Sequence, residues 1–384
     1  MALYLAFKEV WRNKSRFLLF SLVIALITTL VLFIAALAEG LAQANKQFLE
    51  RLDAELIVFQ NNVELSANTS RIGFSQLNDI ERIDGVQAAG PIGLSNGSII
   101  FADGRENINV SLIGVEAGKP GDPPVISGSD LIIDRGSDVT IDANIAERAD
   151  IYPGDQITIK TIQGTREELF NLTVIGITAG RQYLFQPSIF LPYRTWDEIR
   201  PQSTRNSTLV ETTSNIVALK LEQGYDPGEV RDRVLAVVKD IEVTDKKTAI
   251  ESLPGYSVQQ STLNTQQGFT LLIGILVIGG FFQIQMLQKL PLIGVMKAIG
   301  TSNFIVGSSV VIQIVLVTTF GVFIGALVAF SLALGIPETV PIVFNGTSVL
   351  IAILTLLAIG PIGGLVSVRL AVSVEPLIAL GLSS

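Results

Sequence analysis

The chain has 384 residues, 48% of them hydrophobic, and a positive mean hydropathy, enough for a membrane part together with a soluble domain. It contains no Cys and no His, which excludes a disulfide framework, thiol chemistry, and the commonest general base and metal ligand. A formal net charge of −8 argues against nucleic acid as a partner.

Residues 1–16 place Leu3, Phe7, Val10 and Trp11 at helical spacing opposite Lys8, Arg12 and Ser15. That is the pattern of a basic amphipathic helix lying in the headgroup region; the plainer alternative is the charged flank of a first span. Phe17 to Ala38 is free of charge and long enough to cross about 30 Å of hydrocarbon. Ala36-Leu37-Ala38 imitates a signal-peptide cleavage site, but a signal core runs only about 7–15 residues, so an uncleaved span is expected. The helix is expected to continue outward as a stalk, making 17–52 one element with Leu41, Phe48, Leu49 and Leu52 on its apolar side.

Beyond the stalk the pattern is mixed α/β. Glu55–Phe59 reads as a strand, Ser75–Ile83 as a short helix capped at Ser75 or a neighbour, and Gly85-Val86 turns into another strand. Asn215–Leu221 alternates as a strand, Asp226-Pro227 caps a helix running to about Lys239, and Ile241–Val243 follows as a strand. Two β-α-β units are therefore expected in an α/β subdomain of 53–96 and 196–258. Between them, 97–195 holds Gly-punctuated strands such as Val110–Val115, Gln156–Lys160 and Leu172–Ile177, read as an inserted β-rich subdomain.

Residues 259–289 comprise a polar stalk, Gln259–Gln267, and the second span that it leads into. Leu290-Pro-Leu-Ile-Gly-Val-Met-Lys-Ala-Ile-Gly-Thr301 follows, too short to span and too apolar for an idle loop, and is expected to be a separate helix lying against the membrane face. A third span covers 302–336, with Gly321, Gly325 and Ala329 in a small-xxx-small row that permits close packing. A fourth covers 345–372, and 373–384 is a tail. The fold class is thus an α-helical membrane protein of four transmembrane helices, with a large α+β extracytoplasmic domain inserted between helices 1 and 2.

Basic residues in short flanks set the orientation. Lys8, Arg12, Lys14, Arg16, Lys289, Lys297 and Arg369 all fall on one side of a four-span layout, and only Glu338 among the short-loop charges falls on the other. Both termini and Leu290–Thr301 are therefore expected in the cytoplasm of a bacterial plasma membrane, with 39–267 outside. That region carries 20 basic and 32 acidic residues.

No phosphate-binding G-x-x-x-x-G-K-[ST] occurs, so any nucleotide must be bound by another chain. No catalytic residue, metal ligand or cofactor is assigned. Spans two to four carry uncharged polar residues such as Gln283, Gln285, Gln313 and Ser331, which argues against ion pumping or a proton relay. Glu39 stands where the first span leaves the membrane. It is either a carboxylate marking the bilayer edge or a substrate contact at an opening between two protomers.

These features together resemble the permeases of the MacB/FtsX group of ABC transporters. Leu5–Arg16 looks like the family's basic N-terminal helix, Ser75–Val86 and Asp150–Ile157 its external-domain elements, and Pro187–Pro192 a late strand of its inserted subdomain. Ile293–Gly300 is similar to the family's coupling segment, and Arg369 with Glu375-Pro376 and Leu380 to its usual ending. Pro291 and Leu292 stand where the family usually has an Arg-Glu pair. Ala35–Ala42 and Lys46–Val58 look closest to the haem-exporter permeases.

The resemblance implies that Leu292, Ile293, Gly294, Val295, Met296, Lys297, Ala298, Ile299 and Gly300 couple to an ATPase. It implies a homodimer with two copies of a separate ATPase subunit, which binds the ATP. A possible extracytoplasmic adaptor and membrane lipid complete the implied partners. Three functions follow as expectations: an export permease for an amphiphile such as haem, a lipid, a peptide or a drug; a mechanotransmitter that moves an external partner; or an unrelated anchored sensor. For haem, axial ligands could come only from Glu39, a Tyr or an internal Met.

Overall fold

The structure, a computed structural model, describes residues 4, 8, 11–201, 213–336, 340 and 342–373. Leu3, Phe7, Val10, Pro337, Glu338 and the tail from 374 onward lie outside these. The chain divides into two compact units, residues 1–41 with 260–384 and residues 42–259.

The first unit is a helical bundle. Helices α1 (Lys14–Glu50), α7 (Tyr256–Ala298), α8 (Asn303–Ala333) and α9 (Gly346–Ser373) are each long and apolar enough to cross a membrane. Leu18, Leu22, Leu26 and Leu30 of α1, with Leu272, Leu276, Phe323 and Leu354 elsewhere, face outward, as hydrocarbon contact requires. Phe17, Ile24, Val31, Phe282, Ile314, Val317 and Leu356 fill the inside.

Lipid cannot drive apolar surfaces together as water does, so close backbone approach must hold such helices. The small-residue row of α8 supplies it. A Cβ at Gly321 would stand 2.7 Å from Ile24 Cβ and 2.9 Å from the Ser21 carbonyl, so α8 lies directly on α1 there. At the next turn Thr29 Oγ1 donates to the Gly325 carbonyl at 3.0 Å. A Cβ at Gly279 of α7 would fall 2.8 Å from the Gly363 carbonyl of α9, a second backbone-to-backbone crossing.

In the second unit, β1 (Leu56–Gln60), β3 (Val86–Ile100), β11 (Ile216–Leu221) and β12 (Ile241–Asp245) form a sheet in the order β12-β1-β11-β3. Each neighbouring pair is antiparallel. With α2 (Phe74–Glu81) between β1 and β3, and α5 (Pro227–Val237) between β11 and β12, this is the interleaved order of a split β-α-β sheet. Asp226 caps α5, its carboxylate accepting from the Gly228 and Glu229 amides. At α2 the cap is Gly73 rather than Ser75, and Gln76 Oε1 reaches back to accept from the Gly73 amide at 3.0 Å.

The apolar run of β1 is explained by burial on both faces. Leu56 and Val58 pack toward Leu77, Ile80, Val230 and Val234 of the two helices. Ile57 and Phe59 pack on the opposite side among Phe48, Leu49 and Leu52, the C-terminal turn and exit of α1. Each of those three side chains is at most 3% exposed, burial worth roughly 1.5–3 kcal/mol apiece.

The remaining strands are β4 (Ile108–Val115), β5 (Val125–Gly128), β6 (Asp138–Asp142), β7 (Gln156–Gln163), β8 (Arg166–Thr178) and β9 (Ser188–Pro192). The pairings β3–β4, β4–β9, β9–β6, β6–β8, β8–β7 and β7–β3 return to their start and close a six-stranded ring. Strand β3 serves both parts: it pairs with β11 up to Ile92 and with β4 from Gly93. The expected border at 96/97 therefore moves to 92/93. The other border, at 195/196, falls inside α4 (Tyr193–Ile199), whose Tyr193, Trp196 and Ile199 belong to the core of the ring. A small two-stranded sheet, β2 (Ile72–Gly73) with β10 (Thr213–Ser214), and the short helices α3 (Ala143–Ala149) and α6 (Lys246–Glu251) complete the unit.

Candidate functional site

The segment 290–301 is not a separate helix. Helix α7 runs unbroken through it to Ala298, with Pro291 inside. Pro291 lacks the amide that would bind the carbonyl four residues back, yet its exposed position lets the helix continue. The helix stops instead at Gly300. Gly300 has φ +93°, its amide donates to the Lys297 carbonyl and the Thr301 amide to the Met296 carbonyl, both at 3.0 Å. This is a Schellman cap, and Ser302 at once caps α8, its Oγ accepting from Ile305. The reversal takes about four residues, which leaves no room for an in-plane helix.

The named residues divide between two faces of the α7 tip. Ile293 and Gly294 are buried against the bundle, and Met296 and Lys297 are half-buried. Leu292, Val295 and Ile299 are exposed along one side, with Ala298 and Gly300 also exposed beside them. Lys297 Nζ donates to the Val372 carbonyl of α9 at 2.6 Å. Arg16 Nη1 donates to Gln288 Oε1 at 2.8 Å, and Lys289 Nζ to the buried Gln313 Oε1 at 3.1 Å while standing 5.8 Å over the Phe17 ring. The basic flanks thus tie α1, α7, α8 and α9 together at one end. Gln285 is buried like Gln313, whereas Gln283 and Ser331 face outward.

Glu39 is not brought near these residues. It lies roughly 35 Å along α1 from Arg16 at 1.5 Å per residue. Half-buried, it accepts from Asn345 Nδ2 at 3.4 Å, and one turn earlier the Ala36 carbonyl accepts from the Val343 amide at 3.1 Å. The stretch preceding α9 is therefore held on α1 at this point.

Sequence reasoning missed a further constellation within the second unit. The Phe48 amide donates to the Gln182 carbonyl at 3.0 Å, and the Ala44 carbonyl accepts from the Phe185 amide at 2.9 Å. The loop after β8 is thus hydrogen-bonded to the backbone of α1. Arg51 Nη1 donates to the Gly180 carbonyl at 2.6 Å, Arg181 Nη1 to the Arg51 carbonyl at 2.7 Å, and the Gln182 amide to Gln47 Oε1 at 3.0 Å. Leu184 and Phe185 both hold positive φ, a strained geometry that these bonds impose.

Asp142, fully buried, fixes the loop from the barrel side. Its carboxylate accepts from the Arg181 amide at 2.7 Å and from the Asn144 amide at 2.8 Å, capping α3. Burial pushes its carboxyl above the ordinary range, and these donors pull it partly back. Burial, and then the neighbouring Arg51, lower the Arg181 guanidinium. The only sequence signal was local, an Asp-x-Asn cap, and it did not point to α1.

One motif has the wrong surroundings for chemistry. Gly93-Leu-Ser95-Asn-Gly97 carries the G-x-S-x-G spacing of a hydrolase nucleophile, which needs a strand-turn-helix elbow and a His. Ser95 lies inside β3, its Oγ accepts from Trp196 Nε1 at 2.9 Å, and the chain has no His. Its role is packing. Among the described residues no group of His, Cys, Asp and Glu could hold a metal ion.

Comparison with known proteins names the architecture. The family model described as MacB-like periplasmic core domain matches residues 17–237, and that described as FtsX-like permease C-terminal matches residues 268–376. The chain belongs to the MacB/FtsX family of ABC transporter permeases.

A protein of Staphylococcus haemolyticus described as a hemin transport system permease, HrtB, is 26% identical to this permease over 377 residues, covering 98% of this chain and 99% of the relative. An uncharacterised ABC transporter permease of Mycobacterium tuberculosis is 24% identical over 388 residues, covering 99% of both chains. The crystallised periplasmic region of MacB from Actinobacillus actinomycetemcomitans is 16% identical, covers 51% of this chain and 90% of its own, and has a TM-score of 0.37. Permeases of this family are multi-pass membrane subunits that work with a separate ATPase, and they are not themselves enzymes.

Proposed function

We propose that this permease couples ATP hydrolysis by two copies of a separate ATPase to movement of residues 39–267 outside the cytoplasm, and so expels an amphiphilic substrate. The observation that carries this reading is the unbroken α7. It has 43 residues, roughly 65 Å of one helix, and ends in a tight turn that displays Leu292, Val295 and Ile299. A push on that turn is delivered along a rigid rod instead of being absorbed by a flexible elbow. The clustering of basic flanks at the same end supports a cytoplasmic position for the turn and both termini.

The proposed substrate class includes haem, lipid, peptide and drug-like amphiphiles, and the full-length similarity to a hemin permease favours haem. The backbone crossing of Gly279 and Gly363 leaves no polar conduit there, which suits a substrate taken up sideways from the bilayer near Glu39 of a homodimer. The same closed packing suits the second reading, a mechanotransmitter that moves an extracytoplasmic protein and transports nothing.

The test is at Ala298, exposed and free of backbone strain. Ala298→Arg in permease reconstituted with its ATPase should keep assembly while uncoupling hydrolysis from export, a loss of tenfold or more in export per ATP (about 1.4 kcal/mol or more). Unchanged coupling would remove the α7 tip from the mechanism. Gly300 is a poorer target, since any side chain there strains the cap. ATPase stimulation by an external protein and by no hydrophobic compound would favour the second reading.

A further inference from the structure

Helix α7 presents one outward stripe with a coiled-coil period. Phe269, Ile273, Leu276, Gly280, Gln283 and Leu287 recur at alternating steps of four and three residues, and all are exposed. That spacing keeps a seam on one side of a helix and lets it pack along a second helix of the same spacing. Lipid and protein suit the apolar members of the stripe equally. Gln283 is different. It lies six residues before Lys289, about 9 Å inside the span, where hydrocarbon neither donates nor accepts a hydrogen bond. Other outward polar groups of the spans satisfy themselves: Ser331 Oγ donates to the Leu327 carbonyl and Thr355 Oγ1 to the Ile351 carbonyl, both at 2.8 Å. The Gln283 amide does not, and among the described residues it has no hydrogen-bond partner. We propose that this stripe of α7 is the contact between two copies of the permease, with the two Gln283 amides paired across a two-fold axis.

A second copy of the chain is the occupant whose chemistry matches. A primary amide is self-complementary: its carbonyl accepts and its amino group donates, so two amides related by a two-fold axis exchange two hydrogen bonds. Gly280, one turn away on the same stripe, permits close approach. A Cβ there would meet nothing within 4 Å, whereas its neighbour Gly279 is already used against Gly363 of α9. No charged residue lies between Phe269 and Leu287, so two copies of the stripe meet without repulsion. A single polar group on an apolar seam also fixes register, because a slip along the helix would leave both amides unpaired in hydrocarbon. This contact rests on the homodimer of the proposed function and adds to it the face that joins the copies.

The chain has no native Cys, so a single introduced thiol reports on one position. Full-length permease carrying Leu276→Cys or Leu287→Cys, oxidised in lipid vesicles with copper phenanthroline, should form a covalent dimer. Phe323→Cys and Leu354→Cys, equally outward on α8 and α9, should not. In neutral detergent, Gln283→Leu should raise the dimer dissociation constant about fivefold by analytical ultracentrifugation, and Gln283→Asn, which keeps an amide, should raise it less. Leu on this outward face leaves the bundle itself intact, and the thermal midpoint measured in parallel registers any loss of fold. Covalent dimers through Phe323→Cys or Leu354→Cys and none through the stripe overturn the proposal and leave the homodimer standing. A permease that is monomeric throughout removes both. Undiminished dimerisation of Gln283→Leu overturns the amide pairing, and a loss of export in that variant would then assign Gln283 to the substrate.

Discussion

Trp196 shows how much a single side chain organises in the second unit. Gly93 of β3 and Gly114 of β4 stand opposite each other in register, and the indole lies against both. A Cβ at Gly114 would come 2.5 Å from Trp196 Cγ, inside any permissible contact. Gly114→Ala should therefore destabilise the ring by about 1–3 kcal/mol, read from the thermal transition of tryptophan fluorescence. A transition unchanged within error would mean that the indole has room to move. Neither glycine stood out in the sequence, where both looked like ordinary punctuation between strands. Their reason is a tryptophan 103 residues beyond Gly93 and 82 beyond Gly114 in the chain. Asp226-Pro227 was legible because a cap and its helix are adjacent, so the decisive contacts are local.

At the level of elements, apolar runs of twenty or more residues made the four spans plain, since no compact soluble fold buries so many in sequence. The tip of α7 was harder. Pro291 suggested an interruption, and the helix continues because the missing bond lies on its exposed side. The Gly300 cap, only a Gly in the sequence, sets the true end. Less legible still was the docking of the 180–185 loop on α1, which depends on backbone amides and leaves no compositional trace. Arg181→Ala removes the donor to the Arg51 carbonyl and should cost about 1–3 kcal/mol. Hydrogen exchange should show it first in the amides of 44–51 and 180–186, with strands β1 and β11 unaffected. Uniform acceleration through the whole unit would mean that Arg181 supports the fold globally and has no particular relation to α1.

For the molecule as a whole, the order of span, external domain and three spans was readable, and so was the family. Substrate identity was not, because the chain carries no thiolate or imidazole ligand that would announce one. If haem is the cargo, titrating it into the purified permease should shift its absorption band, and Glu39→Gln should abolish the shift; an unshifted spectrum excludes Glu39 as a ligand. The sheet order has a separate consequence for synthesis. Strand β1 lies between β11 and β12, and its partners arrive 160 and more residues later: Leu56 pairs with Leu219 and Asp245. One edge of this apolar Leu-Ile-Val-Phe strand stays open until β11 has left the ribosome, and the other until residue 245 has followed. The barrel strands between can pair meanwhile, and by closing they bring the two ends of the gap together, shortening the loop that β1 must finally close. A stalled or truncated nascent chain ending before residue 216 would carry that strand unprotected, and so be the form of this permease most prone to aggregate.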